Sequence, residues 1–223
     1  MKLDKAFVAS AAMSLGMAAV SIWALQRVPD TPLPIQWGLD GRPIAFAPAA
    51  LALLVPPAVA AVLTLVFALL PKIMPRQSDI ARSRLPYAIA TTGTIAMLFV
   101  LHVLLIGYSL GAPVNVSAAG VAATGALVAV IGNYLPKTRY NYLLGIRTPW
   151  TLADERVWDR THRFTGAWLV AAGLLALTTG LFFPGQPLLL LVGVGAIGAA
   201  AVAGVVYSAV ISLRAGKADA PAD

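Results

Sequence analysis

The side chains best equipped for chemistry in this chain crowd between Gly132 and Gly166, a stretch reading GNYLPKTRYNYLLGIRTPWTLADERVWDRTHRFTG. Nine charged residues and His162 fall there, between long apolar runs. Asp154 and His162 are of the types that move protons in general acid–base catalysis. Asn133, Arg147, Asp154 and His162 could instead converge on a ligand, although their spacing names none. Neither a nucleophile nor a metal set accompanies them. Cysteine is absent, and His102 and His162 are the two histidines. They lie most of a bilayer apart with no carboxylate cluster beside either, so neither metal nor cofactor is expected. Asp154, Glu155 and Asp159 share one short helix, an arrangement that usually forms a solvated face.

The elements that must position this segment are membrane helices. Of 223 residues, 59% are hydrophobic and 11% charged, against about 25% charged in soluble domains. So few charges cannot cover a water-facing surface, whereas lipid removes that requirement. Six apolar segments, near 6–26, 47–70, 86–108, 116–135, 164–183 and 187–213, each approach the ~20 residues needed to cross. Ala, Leu and Val dominate without strand alternation, so the class is all-α, a polytopic bundle of six transmembrane helices. The first segment, preceded by Lys2 and Lys5, is too long for a signal-peptide core and lacks a clean cleavage site, and is expected to remain as a helix.

Basic residues give the direction. Fourteen Lys and Arg side chains fall on one side, in both terminal tails and the second and fourth loops, and two, Arg27 and Arg42, on the other. The positive-inside rule then places both termini and the charged segment in the cytoplasm. The net charge of +7 follows from this asymmetry, and no direct nucleic-acid partner is needed to explain it. The expected division is an N-terminal region 1–110 with an outer loop 27–46, a region 111–215 with an inner loop 136–163, and a frayed tail 216–223. The outer loop holds four prolines and should be extended and ordered.

Locally, Asn133 and Tyr134 close the fourth helix before Pro136, and Gly145 to Trp150 is turn-like. Thr151 followed by Asp154 has capping-box spacing, which predicts a helix from Thr151 into the fifth span. Val157, Trp158, Thr161 and Trp168 would share a face of it lying at the interface, and Asp159 could pair with Arg163. Trp, Tyr and Arg at this level also suit an ordinary collar against membrane lipid. Pro56-Pro57 should kink the second span. Gly193, Gly195 and Gly198 match a dinucleotide fingerprint without its strand–turn–helix context, and read as helix-packing positions. His102, mid-way along the third span, is either a functional group facing the bundle interior or a buried neutral imidazole with one partner.

The residues Asn133-Tyr134, Asn141, Gly145-Ile146-Arg147-Thr148-Pro149-Trp150-Thr151-Leu152, Val157-Trp158 and Thr161-His162-Arg163 resemble the signature of the SdpI family. The outer loop agrees: Pro34, Trp37 and Gly41 are similar to that family's N-terminal pattern, with Gln36 where a histidine is usual. The resemblance implies a bacterial cytoplasmic-membrane protein that protects against a membrane-active peptide toxin on the outer side. It also implies signalling through a cytosolic transcriptional repressor. Asn133, Tyr134, Asn141, Arg147, Thr148, Pro149, Trp150, Asp154, Trp158, His162 and Arg163 would then form the inner partner-binding set, and Pro34, Gln36, Trp37 and Gly41 the outer one. A small transporter or channel through His102 is an alternative. Another is an intramembrane enzyme acting on lipid or cell-wall precursors.

Overall fold

A computed structural model describes residues 3–28, 30–73 and 82–218. Lys2, Arg76 and the last five residues of the expected tail lie outside the described residues. Six long helices carry the fold: α1 (Leu3–Leu25), α2 (Ala49–Ile73), α3 (Arg84–Ser109), α4 (Val116–Tyr134), α5 (Glu155–Phe182) and α6 (Pro187–Ala218). All six are long and apolar enough to cross a membrane, as their segments predict. The sixth continues to Ala218, past the point where fraying is expected. The extended loop is a β-hairpin, β1 (Leu33–Trp37) paired antiparallel with β2 (Pro43–Ala47).

α1, α2 and α3 pack together, as do α4, α5 and α6, and α3 against α4 joins the two groups. The hairpin caps one end of the first group. Leu33 is buried with Ala24, Ala52, Leu53, Leu105 and Ile106, and the Trp37 ring meets Tyr108 edge-on at 5.6 Å. Its turn is held by the Asp40 carboxylate accepting from the Arg42 N–H at 3.1 Å, with Gly41 at φ 80°. The Ser117 hydroxyl donates to the Gly38 carbonyl at 2.6 Å, tying the hairpin tip to α4. At the same end, Asn115 caps α4 through the Ala118 N–H and donates to the Pro184 carbonyl.

Pro56 and Pro57 do not interrupt α2, which runs unbroken from Ala49 to Ile73. A proline removes the N–H that would serve the carbonyl four residues earlier. The Ser21 hydroxyl replaces it for Pro57, lying 2.7 Å from the Leu53 carbonyl. The Tyr87 hydroxyl does the same for Pro71, 2.7 Å from the Phe67 carbonyl. With two of the three orphan carbonyls met from neighbouring helices, the ladder need not open at Pro57 or Pro71.

Ser21 also explains His102, which is buried with Nε2 2.7 Å from the Ser21 oxygen. The serine's other partners, the Met17 and Leu53 carbonyls, can only accept. Its proton therefore points to a carbonyl, and His102 donates from Nε2. Its Nδ1 is buried without a hydrogen-bond partner among the described residues. Ser21→Ala strands both the Leu53 carbonyl and the imidazole N–H, and should cost about 1–3 kcal/mol. Thermal unfolding in detergent checks this. Ser14→Ala, which removes only a 3.3 Å contact to Thr64 and a bond back to its own helix, should cost less.

Helices α4 and α5 are held by a seam of small residues with a seven-residue repeat. Ala118, Gly125 and Gly132 on α4 run antiparallel against Gly180, Gly173 and Gly166 on α5. A Cβ on Gly173 would lie 2.6 Å from the Gly125 carbonyl, and one on Gly166 2.7 Å from the Gly132 carbonyl. Backbone touches backbone here, the geometry that small residues allow in lipid, where apolar burial gives helices little reason to associate. Of the three glycines expected to pack α6, only Gly193 does so, against Ala176 and Thr179; Gly195 and Gly198 face open space. That expectation is corrected at these two positions. The GxGxxG spacing spreads its glycines around the helix, and one face meets α5.

Candidate functional site

The charged segment at the end opposite the hairpin folds into an ordered loop, tied to its neighbours by hydrogen bonds from its own polar side chains. After a single 3-10 turn over Leu135–Lys137, Asn141 sets the backbone. Its Oδ1 accepts from the N–H groups of Leu143 and Leu144 at 2.8 and 2.7 Å, and its Nδ2 donates to the Arg139 carbonyl at 2.7 Å. Gly145 follows at φ 117°, a left-handed conformation that strains any residue with a Cβ. A Cβ there would also collide with the His162 ring.

His162 receives the loop. The Ile146 N–H lies 3.0 Å from Nε2, which must therefore be the bare acceptor, so Nδ1 carries the proton and donates to the Trp158 carbonyl at 2.8 Å. Both ring nitrogens are engaged in structure. The imidazole stacks on Trp158 at 4.0 Å between centroids. Trp158 is 0% exposed and donates from Nε1 to the Thr138 carbonyl at 3.1 Å. Tyr140 meets the Trp158 ring edge-on and donates to the Leu152 carbonyl.

Thr151 sits at the loop's far bend and is fully buried. Its hydroxyl lies 2.8 Å from the Ile146 carbonyl and accepts from the Thr148 N–H at 2.9 Å. It does not cap α5. That helix begins at Glu155, with Asp154 as N-cap accepting from the Arg156 N–H at 2.7 Å. The Thr-x-x-Asp spacing does fall at a helix start, but a carboxylate at the cap serves the unpaired N–H groups directly and suits the positive helix terminus. The same N–H lowers the Asp154 pKa below the ordinary carboxylate value, partly opposed by burial.

α5 then runs as one helix to Phe182, with no separate interfacial piece. Val157, Trp158, Thr161, His162 and Thr165 form its buried face, whereas Trp168 is 54% exposed and lies off that face. Asp159 does not pair with Arg163. Among the described residues the ion pairs are Arg156 with Asp154 and Arg42 with Asp40.

The loop is bolted to both sides. Trp150 donates from Nε1 to the Ser208 hydroxyl of α6 at 2.6 Å, and the Ile146 side chain rests at Gly204. Ser83, the N-cap of α3, accepts from the Arg139 N–H at 2.9 Å. Arg147 reaches back to the Tyr142 carbonyl at 2.7 Å. Pro149 is exposed in the turn that bears Trp150. Tyr134 lies beneath the Lys137 ammonium, 4.2 Å from its ring centre.

The expected constellation thus divides. Asn141, Thr148, Trp150, Trp158 and His162 build the loop. Arg147 and Asp154 brace its rim, and Asn133 and Arg163 are exposed. His162 and Asp154 each accept from a backbone N–H group, those of Ile146 and Arg156. At the opposite end, Pro34 is buried, Gln36 is exposed, and Trp37 is partly buried with Nε1 lacking a partner among the described residues. Tyr140, Thr138 and Ser208 were missed by sequence reasoning. Tyr140 and Thr138 lie inside the charged stretch and could have been found from it, but Ser208 is one hydroxyl in an apolar helix.

Residues 137–208, from the end of the 3-10 turn to the serine that anchors Trp150, match the SdpI/YfhL protein family. The chain is 29% identical over 171 residues to Immunity protein SdpI of Bacillus subtilis (strain 168), covering 77% of this chain and 79% of that protein. No solved structure matches the chain. The SdpI-family resemblance and the six-helix, multi-pass character are borne out, and the protein is one of a bacterial plasma membrane.

Proposed function

We propose that this protein confers immunity on its cell against a membrane-active peptide, received at the hairpin end and reported at the loop end. The observation that carries this reading is the exposed apolar face of the hairpin, considered with the likeness to an immunity protein. Ile44 is 61% and Phe46 57% exposed, with Ile35 beside them. A face of this kind, at the membrane surface away from the basic loops, suits the apolar side of an amphipathic peptide.

The hairpin is coupled to both helical groups through Leu33, Trp37 with Tyr108, and Ser117 with Gly38. A peptide seated there biases the packing of α3 against α4. Those helices end at Ser83 and the 3-10 turn, which meet through Arg139. The positive-inside rule supports a cytosolic loop end, where the braced loop offers a fixed surface to a cytosolic regulator.

Expression in a host sensitive to membrane-active peptides tests the proposal. The wild-type chain should raise survival, and Ile44→Asp with Phe46→Asp should abolish the gain. Both positions are on the surface, so stability should change by only about 0.5 kcal/mol each. Protection by the double variant equal to wild type, or none by wild type against any peptide tried, overturns it.

A further inference from the structure

Three arginines stand on α5 beside the loop. Arg156, Arg160 and Arg163 follow an i, i+4, i+7 spacing, which aligns them on one helix face. All three are exposed, and they border a cleft of about 600 Å³ with Asp159, Phe164 and Tyr207. Arg156 pairs with the Asp154 cap. Arg160 and Arg163 make no ion pair among the described residues, and positive charge remains in excess of the one carboxylate in the cleft. The floor is a stacked pair, Phe164 on Tyr207 at 4.1 Å and 12°.

Directly beneath lies an apolar groove of about 370 Å³ between α5 and α6. Phe164 borders both spaces. The groove is walled by Trp168 and Leu175 on one side and by Ala199, Ala200 and Ala203 on the other. Alanines along α6 leave it smooth and open to lipid, wide enough for a hydrocarbon chain.

Depth fits as well. α5 has 28 residues, about 42 Å at 1.5 Å per residue, against about 30 Å of hydrocarbon. Roughly eight residues must therefore project beyond the acyl layer. The loop end of α5 is the polar one, so the arginines stand at headgroup level, and Phe164 lies where the acyl chains begin. Aromatic rings and guanidinium groups are favoured there in that order.

We infer that the α5–α6 seam is a binding site for one anionic glycerophospholipid, its phosphate held by Arg160 and Arg163 and an acyl chain lying in the alanine groove. The guanidinium fork presents paired N–H donors that match a phosphate. A zwitterionic headgroup offers the same phosphate but also a cation, which Arg160 and Arg163 repel. The site is adjacent to the loop, since Ser208 and Gly204 hold Trp150 and Ile146 on the same α6 segment that carries Tyr207 and Ala203. Lipid occupancy therefore braces α6 against α5 where the loop is anchored.

The test uses the purified full-length protein in detergent, with retained lipid measured by native mass spectrometry against phosphatidylglycerol and phosphatidylcholine. Wild type should prefer phosphatidylglycerol. Arg160→Gln with Arg163→Gln should lose about 30-fold in that affinity, each cation near a membrane surface contributing roughly fivefold. Ala199→Trp, at an exposed position, fills the groove and should also reduce binding. Both variants replace exposed side chains, and a melting curve matching wild type verifies their folding. Undiminished phosphatidylglycerol binding by the double arginine variant overturns the inference. So does displacement of lipid by millimolar inorganic phosphate together with unaltered binding by Ala199→Trp, which would mark a soluble-phosphate site.

Discussion

Leucine at Gly173 should prevent α4 and α5 from packing and cost the protein about 3 kcal/mol or more. Even the Cβ of alanine would stand 2.5 Å from the Ala129 backbone nitrogen and 2.6 Å from the Gly125 carbonyl. These are main-chain atoms in the middle of a helix and cannot rotate aside, so the helices themselves must separate. Gly173→Ala should accordingly lose about 1–3 kcal/mol, although alanine is the better helix former. The contrast lies on α6. At Gly195 and Gly198 a Cβ would meet nothing within 4 Å, and alanine at either should be neutral or gain up to about 1 kcal/mol. Thermal unfolding of the four variants in one detergent reads the whole pattern. If Gly173→Ala melts with wild type, the seam does not hold the helices together.

The same glycines show what could be read from the chain and what could not. Six apolar runs of sufficient length gave away the number of helices, because lipid leaves the backbone no alternative, although α5 begins nine residues before its apolar run and α6 continues five beyond its own. The glycine seam has no comparable local signature. Gly125, Gly132, Gly166, Gly173 and Gly180 become meaningful only when α4 is known to lie antiparallel on α5 in one register. The eye falls instead on the tight triplet of α6, two of whose members pack against nothing. Pro56-Pro57 is legible only in part for a related reason. The helix stays continuous there, and the hydroxyl that meets the Leu53 carbonyl belongs to Ser21, on another helix. Ser10, Ser14 and Ser21 look incidental within an apolar run, since a serine hydroxyl can bond back to its own helix. In the loop, residue types were informative but roles were not. Asn141, Thr151 and His162 carry polar atoms that a ligand could use. Only the fold reveals that backbone groups already occupy them.

That occupancy makes Trp158 the residue whose loss should disturb the loop most. Trp158→Ala removes a fully buried indole, the stacking surface of His162 and the donor to the Thr138 carbonyl. A Trp-to-Ala cavity costs about 3–5 kcal/mol. The damage should concentrate where the indole's neighbours act. His162 without its stack no longer holds a fixed position for the Ile146 N–H, and Tyr140 loses the ring it leans on. Hydrogen exchange across 139–152 should therefore accelerate strongly, including the Leu143 and Leu144 amides bound to Asn141. Amides of α1 to α3, joined to this region chiefly through Ser83, should change little. Trp158→Phe keeps most of the volume and a stacking ring but strands the Thr138 carbonyl, and should cost about 1–3 kcal/mol. In the protection assay the alanine variant should lose the survival gain with its hairpin intact, separating reception from reporting. Unaltered exchange in 139–152 for Trp158→Ala would mean that the loop is held by its own turns and by α6 alone, and that the indole is only filling.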